Sequence, residues 1–590
     1  MNTVNDPVES GSRHLGQLFF HRVGELGEKT FIKLQRMGRF EEISWKAFGA
    51  QVRDAVLGLD SLGLGKGETV GILSENRLEW LCADIATLAA GLPNVVVSPR
   101  LSEATIQRVF SHSEARAVFV ESEVGAGRIL NLKGQLPSLR YIIVMDGPAS
   151  VLPHTLSFDQ LLSRGRQVER SRLRSIVESV HPDDLATIMY TSGSTGESKG
   201  VMRTQRNLLS NIESGSPIKL SHPDELFVII LSLNHLLGRY GFLKSVATGR
   251  ATAIVEATEQ DVDIKTIQSL SPTAMTLVPR VMERIWATVL AAGDVKRDWD
   301  AVEMLERIRS ERGSLAAGEA EQYEALRISL REAVKSALGG RIKYVSYGGA
   351  AMPPRIMQFF HCIGIPLLGS YGTTECGGVS LCGIGENRPG SLGKPFANVE
   401  VCVADDGEIM VRGPTVTPGY FKNPEATREA LEPDGWYHTG DLGAIEPDGS
   451  LRIVGRKKDI FNCSDGSNIY PSYIELFLEN DPFIRQAVLL GDRRSFIAAL
   501  LVPERDKIAA ELAKREEVLT GRDLEEALWS RVEKINERLE DYEKIRKISV
   551  LANDFPEEVR SVTAFQKIKV DREAVERLFQ SQIGEIYRGH

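Results

Sequence analysis

From residue 30 to residue 260 the chain alternates short β-branched and apolar runs with stretches of helical periodicity. Thr69-Val70-Gly71-Ile72-Leu73 reads as a buried strand, and Leu78 to Leu88 as the helix that follows it. Ala117-Val118-Phe119-Val120 and Tyr141-Ile142-Ile143-Val144 read as further strands. Strands that alternate with helical patterns in this way predict an α/β sheet with helical crossovers. The pattern changes between Val281 and Ser336. Met282, Ile285, Trp286, Val289 and Leu290 recur at helical spacing, and charged helix formers continue to Lys335. This stretch is expected to be a helical insertion between Pro279 and a strand at Lys343-Tyr344-Val345.

A domain boundary is expected at Gly455-Arg456-Lys457-Lys458-Asp459, where an apolar run meets a polar turn. It divides the chain into an N-terminal domain, 1–455, and a small C-terminal domain, 456–590. The latter should hold strands at Ala487–Leu490 and Ile497–Val502. Its clearest helix should carry Leu528, Val532, Ile535, Leu539 and Tyr542. A chain of 590 residues exceeds what a single core usually holds, so two or more domains are expected.

Composition narrows the classes. The net charge of -9 argues against a general nucleic-acid binder. None of the six cysteines stands in a C-x-x-C pair, which argues against a disulfide framework or a zinc site and fits a reducing cytoplasm. The segment Met1–Gly11 is polar and does not read as a signal peptide. No stretch approaches the roughly 20 apolar residues that a membrane span needs.

Candidate chemistry begins at Tyr190-Thr191-Ser192-Gly193-Ser194-Thr195-Gly196-Glu197-Ser198-Lys199-Gly200, after the apolar Leu185–Met189. Glycines let backbone amides turn toward phosphate oxygens, hydroxyls add donors, and Lys199 adds a point charge. A generic Ser/Gly run would be a surface loop, but this one follows a strand and ends in Lys-Gly. The spacing is not that of a Walker A loop. Tyr371-Gly372-Thr373-Thr374-Glu375 follows the apolar Ile365–Leu368, a strand end of the kind at which α/β sheets bind ligands. A glutamate there is a hard oxygen donor suited to Mg²⁺. Tyr437-His438-Thr439-Gly440-Asp441 comes next, then Gly455–Asp459, and near the C-terminus Thr563-Ala564-Phe565-Gln566-Lys567-Ile568-Lys569. Alone, the charges at Arg456–Asp459 would read as a solvated run and Lys567 as a surface lysine.

In this order, the five segments resemble the motifs of the adenylate-forming superfamily, which holds acyl-CoA synthetases, adenylation domains and beetle luciferases. The resemblance covers roughly residues 30 to 575. It implies a large N-terminal domain of α/β subdomains and a small, mobile C-terminal α+β domain. It also implies roles. Thr191 to Gly196 and Lys199 would bind ATP phosphates, and Tyr371 would stack on adenine beside Gly372 and Thr373. Thr374 would touch the α-phosphate, and Glu375 would hold Mg²⁺. Asp441 and Arg456 would bind ribose, Lys458 would be the interdomain hinge, and Lys567 would be the mobile catalytic lysine, with Lys569 the competing alignment. Gly348-Gly349-Ala350 matches a substrate-pocket turn, which makes Gly349 a further contact.

Asn234-His235, Val278-Pro279-Arg280, the helical insertion and Asp541-Tyr542-Glu543-Lys544-Ile545 extend the resemblance to long-chain fatty acid–CoA ligases. There are departures. Ser464-Asp465-Gly466 has one glycine where relatives often have two, and Lys567 lacks the preceding glycine common in short-acid ligases. The resemblance implies an AMP-forming ligase that uses ATP, Mg²⁺ and coenzyme A on a medium- or long-chain fatty acid. His235 would gate or wall the acyl tunnel. The segment Leu231–Gly238 has no acidic residue, whereas amino-acid-activating relatives place an aspartate there. Delivery to an acyl carrier protein, aryl-acid activation and a non-catalytic acyl or nucleotide sensor are the alternatives, the last opposed by the intact charged residues. The expected partners are small molecules, with no nucleic acid, no membrane span and an open oligomeric state.

Overall fold

The computed structural model describes residues 11–36, 39–147, 154–191, 198–213, 225–255, 264–291, 293–463, 468–479, 481, 483–505, 508–509, 521–556, 559–562 and 568–588. The fold is α/β, and contacts divide it into two compact units. One holds residues 1–349, 360–401 and 411–437; the other holds 350–359, 402–410 and 438–590.

In the first unit the described strands form two large sheets. The seven-stranded sheet runs Thr155–Ser157, Tyr141–Val144, Ala117–Val120, Val70–Leu73, Asn94–Val97, Leu185–Thr191, Lys199–Thr204. Its first six strands are parallel and the last pair is antiparallel. Val70 to Leu73 and Ala117 to Val120 are buried at every position. Parallel strands covered on both faces read as unbroken apolar runs, which is how these strands stand out in the sequence.

The nine-stranded sheet runs Lys394–Pro395, Gly377–Leu381, Leu367–Thr373, Tyr344–Tyr347, Ala274–Leu277, Leu226–Ile229, Ala251–Ile254, Thr30–Arg36, Arg39–Ser44. The strands from Leu367–Thr373 to Thr30–Arg36 are parallel. Their carboxyl ends share one edge. There the chain runs into Ile230–His235, Val278–Pro279, Gly348–Gly349 and Thr374–Glu375. The expected insertion is three helices, Pro279–Leu290, Gly293–Arg312 and Ala317–Ala337, before the strand Tyr344–Tyr347.

The second unit has its core around the strands Ile484–Leu490, Ile497–Pro503 and Ile545–Val550, covered by the helices Pro471–Glu479 and Gly521–Asn536. The expectation of one helix running through Leu539 and Tyr542 is corrected. The helix ends at Asn536, whose side chain donates to the Ile545 carbonyl at 2.8 Å and accepts from the Ile545 amide at 2.9 Å. That pair of bonds satisfies the start of the next strand and turns the chain out of the helix. Asp541–Glu543 is a separate 3₁₀ turn with Tyr542 half exposed. Among the described residues no helix is long and apolar enough to cross a membrane.

Candidate active site

The strands Leu185–Thr191 and Lys199–Thr204 pair antiparallel with Thr191 opposite Lys199. The Ser198 hydroxyl donates to the Thr191 carbonyl at 2.8 Å, which holds the two ends of the Ser/Gly/Thr segment together. Ser192, Gly193, Ser194, Thr195 and Gly196 lie outside the described residues. Lys199 is half-buried, and its Nζ sits 5.1 Å from the centroid of the Tyr420 ring.

Tyr371 to Glu375 lies where the strand Leu367–Thr373 turns back into Gly377–Leu381. Gly372 faces Gly378 across this turn, and a Cβ on Gly372 would meet the Gly377 carbonyl oxygen at 2.2 Å, so no other residue fits without moving backbone. Tyr371 is buried beside Ser380. The Cys376 amide donates to Thr373 Oγ1 at 3.2 Å. The Glu375 carbonyl accepts from Arg203 Nη1 at 2.8 Å and from the Thr417 amide at 2.7 Å. Arg203, fully buried, also donates to the Tyr240 hydroxyl at 2.8 Å. The Tyr420 hydroxyl donates to Glu375 Oε1 at 3.1 Å. Tyr437 makes hydrogen-bond contact with Thr373 and Tyr420. Burial raises both phenols above their ordinary range, so they act as neutral donors. Burial likewise pushes the neighbouring Cys376 thiol up to about 11, which makes it a poor nucleophile.

On the same sheet edge, Gly349 follows the strand Tyr344–Tyr347 with φ +79°. A Cβ on its neighbour Gly348 would press on Ser370 Oγ at 2.5 Å, so this glycine makes room for Ser370, with Leu237 of the segment Leu231–Gly238 in ordinary contact range at 3.6 Å. That segment is tied down by amides. Asn76 donates to the Leu231 carbonyl at 3.0 Å and accepts from the Leu233 amide at 2.8 Å. Asn234 donates to the Ser74 carbonyl at 2.9 Å and accepts from the Trp80 indole at 3.3 Å. His235 is half-buried at the N-cap of the helix Leu236–Thr248 and makes no side-chain cap bond.

In the second unit Asp441 and Arg456 pair across antiparallel strands. Arg456 Nε lies 2.5 Å from Asp441 Oδ1, with the carboxylate buried and the arginine half exposed. Thr439 Oγ1 accepts the Asp441 amide at 3.0 Å and donates to the Ile409 carbonyl at 2.6 Å. Beside them, burial pushes the Glu408 carboxyl up. Lys457 at 2.9 Å, the Gly440 amide at 2.8 Å and His438 at 3.2 Å outweigh it and hold Glu408 below its ordinary value. Lys458 is exposed in the 3₁₀ turn Lys457–Asp459. Lys567 lies outside the described residues.

A model of AMP-binding enzymes matches residues 19–421, and one of the AMP-binding enzyme C-terminal domain matches residues 458–590. The chain belongs to the AMP-binding enzyme family. Among relatives, long-chain-fatty-acid–CoA ligase FadD15 of Mycobacterium tuberculosis is 32% identical over 95% of this chain and 95% of its own. The peroxisomal long chain acyl-CoA synthetase 7 of Arabidopsis thaliana is 31% identical over 84% of this chain and 73% of its own. The adenylation domain of a Segniliparus rugosus carboxylic acid reductase, solved with AMP and a co-purified carboxylic acid, has the same fold. Its TM-score is 0.72 at 21% identity, covering 98% of this chain and 95% of the other. In this AMP-binding enzyme, sequence reading missed Arg203, Tyr420 and Tyr437 as parts of the Glu375 environment. No local pattern joins Arg203 to Glu375, which is 172 residues away.

Proposed function

We propose that this protein is an AMP-forming fatty acid–CoA ligase. It activates a medium- or long-chain fatty acid as acyl-adenylate and passes the acyl group to coenzyme A. The observation that carries this reading is the Leu231–Gly238 segment. It has no carboxylate to pair a substrate ammonium, and Leu231, Leu233 and Leu236 are buried beside half-buried His235 and Leu237. An ammonium placed there without a partner costs several kcal/mol. An alkyl chain gains about 0.8 kcal/mol for each buried methylene. Full-length similarity to long-chain ligases supports the same substrate class.

In the first half-reaction the acid's carboxylate attacks the α-phosphorus of ATP and pyrophosphate leaves. The protein's task is positioning and charge stabilisation. The segment Thr191–Gly196 and Lys199 take the phosphates, Thr374 offers its hydroxyl to the α-phosphate, and Tyr371 meets adenine. The half-buried Glu375 carboxylate is an oxygen donor of the kind that holds Mg²⁺ together with phosphate oxygens, so the residues fit the ion. Mg²⁺ bound there supplies neutralising charge to the phosphates. Asp441 and Arg456 hold the ribose, and His235 walls the acyl tunnel. In the second half-reaction the thiol of coenzyme A attacks the mixed anhydride and AMP leaves. We assign 1–455 and 456–590 as the two domains, with Lys458 the hinge that lets Lys567 withdraw between steps. The six cysteines are free thiols, which suits a reducing cytoplasm.

The test is pyrophosphate release across acids of two to twenty carbons, with coenzyme A or a carrier protein as acceptor and benzoate and leucine as controls. The specificity constant should rise about tenfold for every two carbons added until the tunnel ends. A maximum at acetate, benzoate or leucine would refute the fatty-acyl assignment. Acylation of the carrier protein alone would refute the coenzyme A assignment.

A further inference from the structure

We propose that Tyr420 is a positioning residue for the first half-reaction: its hydroxyl aims the Glu375 carboxylate while its ring holds Lys199, coupling the cation-binding acid to the phosphate-binding lysine. This rests on the adenylation chemistry proposed above. Tyr420 lies more than two hundred residues from Lys199 in sequence, yet its backbone is fastened to the Lys199 strand. The Met202 amide donates to the Gly419 carbonyl at 3.1 Å, Val201 bridges Tyr420, and the Phe421 amide donates to the Gly200 carbonyl at 2.7 Å. On the other side, the Thr417 amide donates to the Glu375 carbonyl at 2.7 Å. The Tyr420 amide is held by Thr427 Oγ1 at 2.9 Å, and only 7% of the residue is exposed. Backbone bonds thus fix the ring before any ligand arrives.

The two contacts are chemically different, and both are needed. The phenol donates to Glu375 Oε1 at 3.1 Å, and a neutral donor orients a carboxylate without cancelling its charge. Among the described residues no hydrogen bond is made to the other carboxylate oxygen, whose lone pairs are left for a cation. Lys199 Nζ stands 5.1 Å from the ring centroid, within the range at which an aromatic face attracts an ammonium. A salt bridge between Lys199 and Glu375 would instead consume both charges that the phosphates and the metal require. Tyr437 contacts both Tyr420 and Thr373, which extends the same arrangement to the strand end.

The experiment compares Tyr420→Phe, which keeps the ring and removes the hydroxyl, with Tyr420→Leu, which removes both. Mn²⁺ binding to the full-length protein with ATP and no acid is read from the free-ion electron paramagnetic resonance signal. In parallel, acyl-adenylate formation and thioester formation from supplied acyl-AMP are measured separately. Tyr420→Phe should weaken Mn²⁺ binding about tenfold and slow adenylation by a similar factor, leaving the KM for ATP and the second half-reaction within twofold. Tyr420→Leu should in addition raise the KM for ATP several-fold. Wild-type Mn²⁺ affinity in Tyr420→Phe would overturn the proposal. So would an equal fall of both half-reactions with a lowered melting temperature, because that is what lost packing alone produces. If the wild type binds Mn²⁺ and ATP but releases no pyrophosphate with any acid, the ligase reading fails while the binding comparison still decides the role of Tyr420.

Discussion

Replacing Arg239 by methionine should destabilise the first unit by about 3 to 5 kcal/mol, the scale for removing one partner of a buried ion pair. Arg239 and Asp84 are both 0% exposed. The guanidinium donates from Nε to Asp84 Oδ2 at 3.1 Å and from Nη2 to Asp84 Oδ1, and further to Thr187 Oγ1 at 2.9 Å and Asn94 Oδ1 at 3.2 Å. Methionine fills similar volume but leaves Asp84 with only the Asn94 amide, at 2.8 Å, among these bonds. Urea unfolding is followed through Trp45 and Trp80, both fully buried in this unit. The loss should appear as a fall of roughly 1 to 2 M in the midpoint they report. The double variant Asp84→Leu/Arg239→Met strands no charge, so it should recover most of the loss. The pH dependence has a definite sign. Burial already holds the Asp84 carboxyl above its ordinary value, with Arg239 pulling it down, so removing Arg239 raises it further. The folded variant then binds more protons than the folded wild type while the unfolded chains bind the same number, so its deficit should shrink from pH 7 to pH 5. A deficit that ignores pH, or a double variant no better than the single one, would refute the argument.

Two further outcomes are expected. Lys567→Ala should slow adenylate formation by ~10²–10³ and leave thioester formation from supplied acyl-AMP largely intact, the scale for one preorganised charge contact. Selective loss with Lys569→Ala instead would move the assignment by two positions. Burial lowers the His14 pKa from 6.5 to about 4, and its Nε2 meets the Val177 carbonyl at 3.0 Å. The unfolded chain therefore binds more protons between those values. Stability should fall by up to about 3 kcal/mol as pH drops through this window, and His14→Gln should flatten that slope in urea midpoints.

The parts of this fold that can be read from sequence are those specified locally. Val70–Leu73 and Ala117–Val120 are apolar throughout because both faces are covered, and the helical character of the insertion shows in the spacing over Met282–Leu290 and the charged helix formers after it, though its division into three helices does not. The motif strings are legible because each is a short contiguous run of residues, such as Tyr371–Glu375 at the end of the strand Leu367–Thr373. What surrounds them is not local. Arg239 meets Asp84 across 155 residues, and Tyr420 meets Glu375 across 45. No period or composition marks either pair. The overextended helix beyond Asn536 is the converse case. Leu539 and Tyr542 continue the apolar rhythm, but one asparagine side chain satisfying the Ile545 backbone ends the helix. The contact-defined units also differ in form from a single cut at 455. They place 350–359 and 402–410 with the C-terminal residues, a grouping that one boundary in sequence cannot express.

A reaction that needs charges aimed, and no nucleophilic side chain, places its demands behind the reacting groups. Under the adenylation chemistry proposed above, the strand end at Glu375 is built to meet them. Its carbonyl is held by Arg203 and Thr417, its carboxylate by Tyr420, and the turn by the Cys376 amide on Thr373. Each of these bonds forms on folding, so none has to be reorganised when charge develops on the phosphates, and this is the condition under which fixed dipoles stabilise a transition state most. Gly372 belongs to the same arrangement although it bears no functional group. A methyl there would press on the Gly377 carbonyl oxygen and displace the two threonines and the glutamate together. The proposed role of the Thr-Thr-Glu string therefore depends on this setting. The same string on an unsupported loop would keep its functional groups and lose the aim that Arg203 gives the Glu375 carbonyl and Tyr420 gives its carboxylate.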